Sequence, residues 1–233
     1  MTQRAGTIAI DGQVASGKTA VGRELARRLG CPFLDTGIMY RAVTWLALQE
    51  AVSIDNSDAL TQLAQGTPMQ LNDLEGRTIL LGGRELGPEL RTAEVDRHVS
   101  PVSTVSGVRR DMVRQQRSIA ERSCQDMGGI VMVGRDIGTV VLPDAGLKVF
   151  MTASPEVRAR RRYDELIAQG MPADYDEVLA NALSRDRIDS QRKDSPLAQA
   201  PDAFLLDTSD LTIEQVVARI LERLGRKADG SAA

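Results

Sequence analysis

Eight residues near the start of the chain, Gly12-Gln13-Val14-Ala15-Ser16-Gly17-Lys18-Thr19, have the types and spacing of a loop that wraps a nucleotide's phosphates. The glycines let successive backbone N–H groups converge on phosphate oxygens, and the helix that follows turns its positive end toward the same anion. In such a loop Lys18 reaches the phosphoryl group in transit, and the Thr19 hydroxyl ligates Mg²⁺. The context agrees. The apolar run Thr7-Ile8-Ala9-Ile10 precedes the loop as a strand, and Lys18–Leu29 follows at helical spacing until Gly30. A plain Gly-rich turn is the competing reading.

A phosphate loop leaves the reaction open, so a second site must decide it. Three segments offer one. Asp35-Thr36-Gly37-Ile38-Met39-Tyr40-Arg41 follows a short strand; Thr36 and the free N–H groups behind it suit an anion or a hydroxyl, although a capped helix start would look the same. Val133-Gly134-Arg135-Asp136-Ile137-Gly138-Thr139 follows another strand and reads either as ligand-facing or as a salt-bridged turn. Arg185, Asp189 and Arg192 stand at i, i+4 and i+7, on one helical face, which a solvated charge stripe would also produce. Together these segments supply arginines for phosphates and carboxylates for amino or hydroxyl groups. His98, the only histidine, reads as a surface or packing residue, and Asp11 as either an orienter of metal-bound water or a structural acceptor.

The elements that must hold these segments alternate in type. Thr7–Asp11, Phe33–Asp35, Ile130–Val133, Leu147–Met151 and Ala203–Leu206 read as five buried strands. Helices are expected at Lys18–Leu29, Gly37–Glu50, Glu89–Val99, Val102–Cys124, Pro155 to about Gln169, Asp174–Gln191 and Thr212–Leu224. Met69–Leu86 changes period and reads as a small antiparallel meander broken by Gly76, Gly82 and Gly83. Strands alternating with helices give a doubly wound α/β domain with a parallel five-stranded sheet, its phosphate loop at the carboxyl end of the first strand. The core covers residues 1–56 and 100–225, residues 57–99 form an insert, and the tail Arg226–Ala233 is expected to be disordered.

Composition removes several classes. The 233 residues are 42% hydrophobic and 26% charged, ordinary for a soluble globular domain. No apolar run nears the ~20 residues needed to span a membrane. Met1–Thr7 lacks an apolar signal region, so export is not expected and the chain reads as cytoplasmic. Cys31 and Cys124 are isolated, without metal-ligand spacing, as suits a reducing compartment. The net charge of −3 argues against a general nucleic-acid binder. Of the 29 basic residues only Lys18, Lys148, Lys193 and Lys227 are lysine; arginine's planar fork fits phosphate, but only the placement of particular arginines can carry a functional argument.

The order Gly12–Thr19, Asp35-Thr-Gly-Ile-Met-Tyr-Arg41, Leu90-Arg-Thr-Ala-Glu-Val95, Gly134-Arg-Asp-Ile-Gly-Thr139 and Arg185–Arg192 closely resembles the bacterial cytidylate kinases, from about Thr7 to Gly225. The second and fourth blocks are far more specific than the phosphate loop. The resemblance implies a P-loop kinase fold with a small mixed α/β insert that binds the monophosphate, and a short lid at about residues 158–172. It implies transfer of the γ-phosphoryl of ATP, with Mg²⁺, to CMP or dCMP. ATP would meet Gly12, Gln13, Val14, Ala15, Ser16, Gly17, Lys18, Thr19 and Ala20, with Arg158 and Arg162 covering it from the lid. Arg41, Arg135 and Arg192 match the arginines that hold the CMP phosphate, and Lys18, Arg135 and Arg192 would serve catalysis. Ser100, Arg109 and Asp136, with Thr36 nearby, match the groups that read cytosine; Arg185 and Asp189 match the pair that meets the ribose. The Gln13-Val14-Ala15 stretch departs from commoner variants of the loop, where backbone groups do most of the binding.

The assignment is chemically coherent. Cytosine presents an amino donor at N4 that a carboxylate can accept, whereas uracil presents a carbonyl that would face it repulsively. A CMP phosphate is already an oxyanion, so no dedicated general base is required, and catalysis reduces to positioning and charge neutralisation. Nothing in the sequence demands more than a monomer. A phosphate-loop kinase for another small acceptor, and a nucleotide-controlled switch protein, are the alternatives; the Asn-Lys-x-Asp of guanine-reading switches is absent.

Overall fold

A computed structural model describes residues 6–225 of the chain; the tail expected to be disordered, Arg226–Ala233, lies outside the described residues. The elements in chain order are β1 (Gly6–Gly12), α1 (Lys18–Leu29), β2 (Phe33–Asp35), α2 (Gly37–Gln49) and α3 (Ser57–Gly66). Three short strands follow: β3 (Met69–Leu71), β4 (Ile79–Leu81) and β5 (Arg84–Leu86). Then come α4 (Ala93–Thr104), α5 (Ser106–Met127), β6 (Gly129–Gly134), β7 (Leu147–Thr152), α6 (Pro155–Ala168), α7 (Tyr175–Gln191), β8 (Phe204–Asp207) and α8 (Ile213–Arg223).

The larger sheet has the order β2-β6-β1-β7-β8, and every pairing in it is parallel. Alternate residues of β1 enter two separate cores. Ile8 and Ile10 pack with α1 and α8 residues such as Val21, Leu25, Val217 and Ile220. Ala9 packs on the opposite face with Leu34, Met39, Val108 and Met112. Both faces being covered explains why these strands read as continuous apolar runs rather than alternating ones. Each fully buried isoleucine of β1 contributes about 1.5–3 kcal/mol of transfer free energy.

Register then places the carboxyl ends of the central strands side by side. Asp11 pairs with Gly134, Gly12 with Met151 and Asp35 with Val133, so the phosphate loop, the Asp35–Arg41 segment and the Gly134–Thr139 segment leave the sheet along one edge.

The insert carries the antiparallel sheet β3-β4-β5, as the short alternating pieces predict. Gly82 and Gly83 both take positive φ (57° and 87°), which a two-residue hairpin turn demands and other residues resist. One helix has no counterpart among the expected elements: α3, whose N-terminus Asn56 caps by accepting from the Ala59 N–H at 3.0 Å. The expected break between Val99 and Val102 is also displaced. α4 begins where Thr92 caps the Val95 N–H and runs through Pro101 to Thr104; the chain breaks at Val105, whose ψ of 114° is extended. Proline removes one helical hydrogen bond here, but the buried Val99 and Val102 on either side hold the last turn in the core. Residue 99, the expected boundary of the insert, therefore lies inside a helix.

Gly12 is the tightest point of the core. Its φ is 149°, and a Cβ built there would stand 2.0 Å from the Met151 carbonyl oxygen of the neighbouring strand. Relief requires backbone movement, because the obstacle is backbone. Gly12→Ala should lower the unfolding free energy by at least about 2 kcal/mol in urea denaturation, at the upper end of overpacking costs; an unchanged midpoint would show that β1 and β7 part freely at this edge.

Candidate active site

The phosphate loop connects β1 to α1. Ser16 N–H donates to the Gln13 carbonyl at 3.4 Å, and Gly17 enters the helix at a φ of 90°. Lys18 Nζ lies back over this ring, donating to the Gln13 carbonyl at 2.5 Å and to Ser16 Oγ at 3.2 Å. Burial, and then the nearby Arg135, hold the Lys18 pKa well below the usual lysine value. Gln13, the unusual residue of the loop, turns its side chain aside to accept from Thr152 Oγ1 at 3.0 Å.

A cleft of about 540 Å³ opens in front of the loop. Of the residues expected at an ATP site, Val14, Ala15, Gly17, Lys18, Thr19, Ala20 and Arg162 line it. Every residue expected at the CMP site lines it as well: Thr36, Arg41, Ser100, Arg109, Arg135, Asp136, Arg185, Asp189 and Arg192. Gly12, Gln13, Ser16 and Arg158 do not line it, and Arg158 departs furthest from expectation. Expected over ATP, it is instead 1% exposed and bonded to the carbonyls of Ala153 and Val14 and to Asp186. It is the fourth residue of α6, and its face of the helix is the one pressed on the core. Arg161 and Arg162 take the cleft-facing positions in that turn.

Charge in the cleft runs against that of the chain. Ten basic side chains line it against five carboxylates, although the whole chain carries a formal charge of −3. Most of the carboxylates are already engaged. Asp136 accepts from Arg109 at 2.5 Å, deep in the protein, and stands 3.7 Å from Arg192. Asp189 accepts from Arg135 at 2.8 Å and lies 3.4 Å from Arg192. Asp96, on α4, accepts from Arg41 at 2.5 Å and lies 3.9 Å from Arg162 on α6. Arg185 has no ion pair among the described residues, and its Nε is buried with no hydrogen-bond partner, as are Arg109 Nε and Arg192 Nη2. Burial, then Arg135 and Arg41, push the Arg185 pKa down, the signature of guanidinium groups crowded without enough anion. Arg192 is likewise depressed, by burial and then by Arg109.

Beside this cluster Tyr40 supports the Arg109–Asp136 pair. Its ring lies 5.4 Å from the Arg109 guanidinium carbon, and burial lifts its phenol to about 12, so it stays neutral. Thr36 holds the N-cap position of α2 without capping through its side chain: its hydroxyl donates to the Val133 carbonyl at 3.0 Å, and Asp35 accepts from the Gly37 N–H at 3.0 Å. The other Asp35 oxygen accepts from the Thr19 hydroxyl at 2.7 Å. A hydroxyl and a carboxylate side by side at the end of a phosphate loop are hard oxygen donors of the kind Mg²⁺ takes, with substrate phosphates and water completing its shell. Among the described residues no group of three or more His, Cys, Asp or Glu could hold a metal alone, and no helix is long and apolar enough to cross a membrane. His98 is half-buried on α4, its ring nitrogen 2.9 Å from the Glu94 carbonyl and away from the cleft.

Tyr40, Asp96 and Asp186 are residues at or behind the site that sequence reasoning left without a role, and Asp11 is one it left between two. Asp11 is the most consequential. Its carboxylate accepts from the Ile137 N–H at 2.8 Å and the Gly138 N–H at 2.7 Å, so it fastens the Gly134–Thr139 segment to β1. Its position at the end of an apolar strand was the available signal; the partners are 126 and 127 residues away.

With this geometry in hand, comparisons with known proteins converge. The family model described as cytidylate kinase matches residues 8–226. A cytidylate kinase of Carboxydothermus hydrogenoformans is 45% identical over 224 residues, covering 95% of this chain and 98% of that protein. One of Parabacteroides distasonis is 47% identical over 230 residues, covering 96% and 98%. One of a Geobacillus species is 44% identical over 216 residues, covering 92% and 94%.

Asp11 also makes a pH prediction. Burial lifts its pKa to about 6 against the pull of the two amides. The folded chain therefore binds this proton more tightly than the unfolded chain, and ionisation lowers stability as the pH rises from about 4 to about 6, by up to about 3 kcal/mol. Comparing wild type with Asp11→Asn by denaturant unfolding, the difference in stability should change across that window and be flat above about pH 7. A difference flat throughout would mean that Asp11 titrates normally.

Proposed function

The chain belongs to the cytidylate kinase family, and from that membership we propose that it transfers the γ-phosphoryl group of ATP to CMP or dCMP, giving ADP and CDP or dCDP. The observation that carries the reading is the cation surplus at Arg185, Arg135 and Arg41, opposite Lys18 in one cleft. Such an arrangement suits two phosphate-bearing ligands meeting end to end.

ATP lies with its phosphates in the Gly12–Thr19 loop, bound by backbone N–H groups and Lys18, with Arg162 reaching over from α6. Mg²⁺, held through Thr19 and its partner Asp35, would neutralise charge on the ATP phosphates. Arg41, Arg135 and Arg192 hold the phosphate of CMP. Arg185, with Asp189, meets the ribose, and its charge adds to the same anion site. Arg41 commits one N–H to the Leu90 carbonyl and one to Asp96, so its remaining donors meet the phosphate beside that carboxylate or in its place. Asp136 accepts from the cytosine amino group, with Arg109 fixing that carboxylate and Ser100 and Thr36 close by. A uracil carbonyl in the same place would face a carboxylate across a dry gap. The acceptor phosphate is ionised already, so no residue need remove a proton. Lys18, Arg135 and Arg192 hold donor and acceptor in line and offset charge that spreads during transfer.

In an assay of ADP formation, CMP and dCMP should support turnover far above UMP or AMP; equal rates with all acceptors would overturn the cytidine assignment. Arg185→Ala should lower kcat/KM for CMP by about ten- to a hundredfold, the loss of a charge-assisted contact, while the KM for ATP moves less than about threefold. Wild-type kinetics in this variant would remove Arg185 from the acceptor site.

A further inference from the structure

Asp186 follows Arg185 on α7 but projects about 100° further round the helix, away from the cleft and onto the phosphate loop. One of its carboxylate oxygens accepts from the Val14 N–H at 3.1 Å, and the other accepts from Arg158 at 2.6 Å. The same Arg158 nitrogen donates to the Val14 carbonyl at 3.0 Å, and Arg158 Nε donates to the Ala153 carbonyl at 3.1 Å. Both peptide groups flanking Val14 are thereby held by two side chains that do not line the cleft, Arg158 at 1% exposed and Asp186 at 13%. The next residue, Ala15, lines the cleft and has a φ of 57°, a left-handed conformation that alanine adopts only at a cost. Something must hold it there.

We infer that Asp186 is a positioning residue for the donor site: through Arg158 and Val14 it keeps Ala15 left-handed, so that the loop's amides converge before nucleotide arrives. It touches no substrate. Its charge is neutralised by Arg158, so it does not repel the phosphates that the loop receives. Because α7 also carries Arg185, one helix sets both the donor loop and the acceptor's anion site. The inference rests on ATP occupying the Gly12–Thr19 loop.

The test is a double-mutant cycle read by calorimetry of ADP binding, with thermal unfolding of every variant and the KM for CMP alongside. Asp186→Ala should weaken ADP by about tenfold or more and move the KM for CMP less than about twofold. Adding Ala15→Gly removes the left-handed penalty and should return about fivefold of the lost ADP affinity. Asp186→Asn keeps the volume and one of the two acceptor roles, so it should fall between wild type and Asp186→Ala; where the alanine variant does not fold, the asparagine pair carries the test. ADP affinity equal to wild type in the Asp186 variants would overturn the inference. So would a loss that Ala15→Gly does not relieve, or one matched by CMP and by lowered melting temperature, which would mark a merely structural ion pair. Wild-type protein that bound no ADP would instead defeat the proposed function itself.

Discussion

The two hydrogen bonds accepted by the buried Asp11 carboxylate join the halves of the site. β1 ends in the phosphate loop, and β6 ends in the Arg135–Asp136 segment; their parallel register sets Asp11 beside Gly134. Parallel pairing alone leaves the chain beyond Gly134 free to turn in several directions. Asp11 removes that freedom by capturing the Ile137 and Gly138 N–H groups, around which the chain makes a single wide turn, Ile137–Val141. A buried carboxylate is expensive unless its oxygens are satisfied, and these two amides are what make it tolerable. Donor-side and acceptor-side groups are thereby fixed relative to each other by the core rather than by mobile loops.

The cleft itself works on an imbalance that the rest of the molecule conceals. Its arginines are paired with Asp96, Asp136 and Asp189, but there are more cations than carboxylates, and Arg185 is left with an unsatisfied nitrogen. Such crowding is unfavourable in isolation and becomes favourable when phosphate enters, so the folded protein holds electrostatic work in reserve for its ligands. The same groups span three parts of the fold. Arg41 belongs to the core, Asp96 to α4 and Arg162 to α6, and one carboxylate links them. A phosphate bound at Arg41, as proposed above, would therefore act on the contact that ties these parts together.

Much of this was legible in one dimension because it depends on local rules. The phosphate loop, the five apolar runs and the Gly82-Gly83 turn each declare themselves by spacing, and the shared face of Arg185 and Asp189 follows from helical geometry, whereas Arg192 stands just past the end of α7 on extended backbone. Local rules failed where packing overrode them. Pro101 marks a break by its chemistry, yet burial of Val99 and Val102 carries α4 past it. Arg158 belongs by position to the lid, yet its place in α6 turns it into the core, where Asp186 receives it. α3 carries too few apolar residues to stand out from a polar stretch, with only Leu60 and Ala64 buried.

What the residues determine unaided is therefore the fold type, the phosphate loop and which segments meet at the cleft: types and spacings that need no partner to be recognised. Which charge meets which was decided only by the tertiary structure. Asp11 with Ile137, Arg109 with Asp136, Arg41 with Asp96 and Asp186 with Val14 are pairs separated by between 27 and 172 residues. The physical reason is that Coulomb and hydrogen-bond energies depend on distance in space, and sequence separation carries no information about that distance until the sheet has set its register.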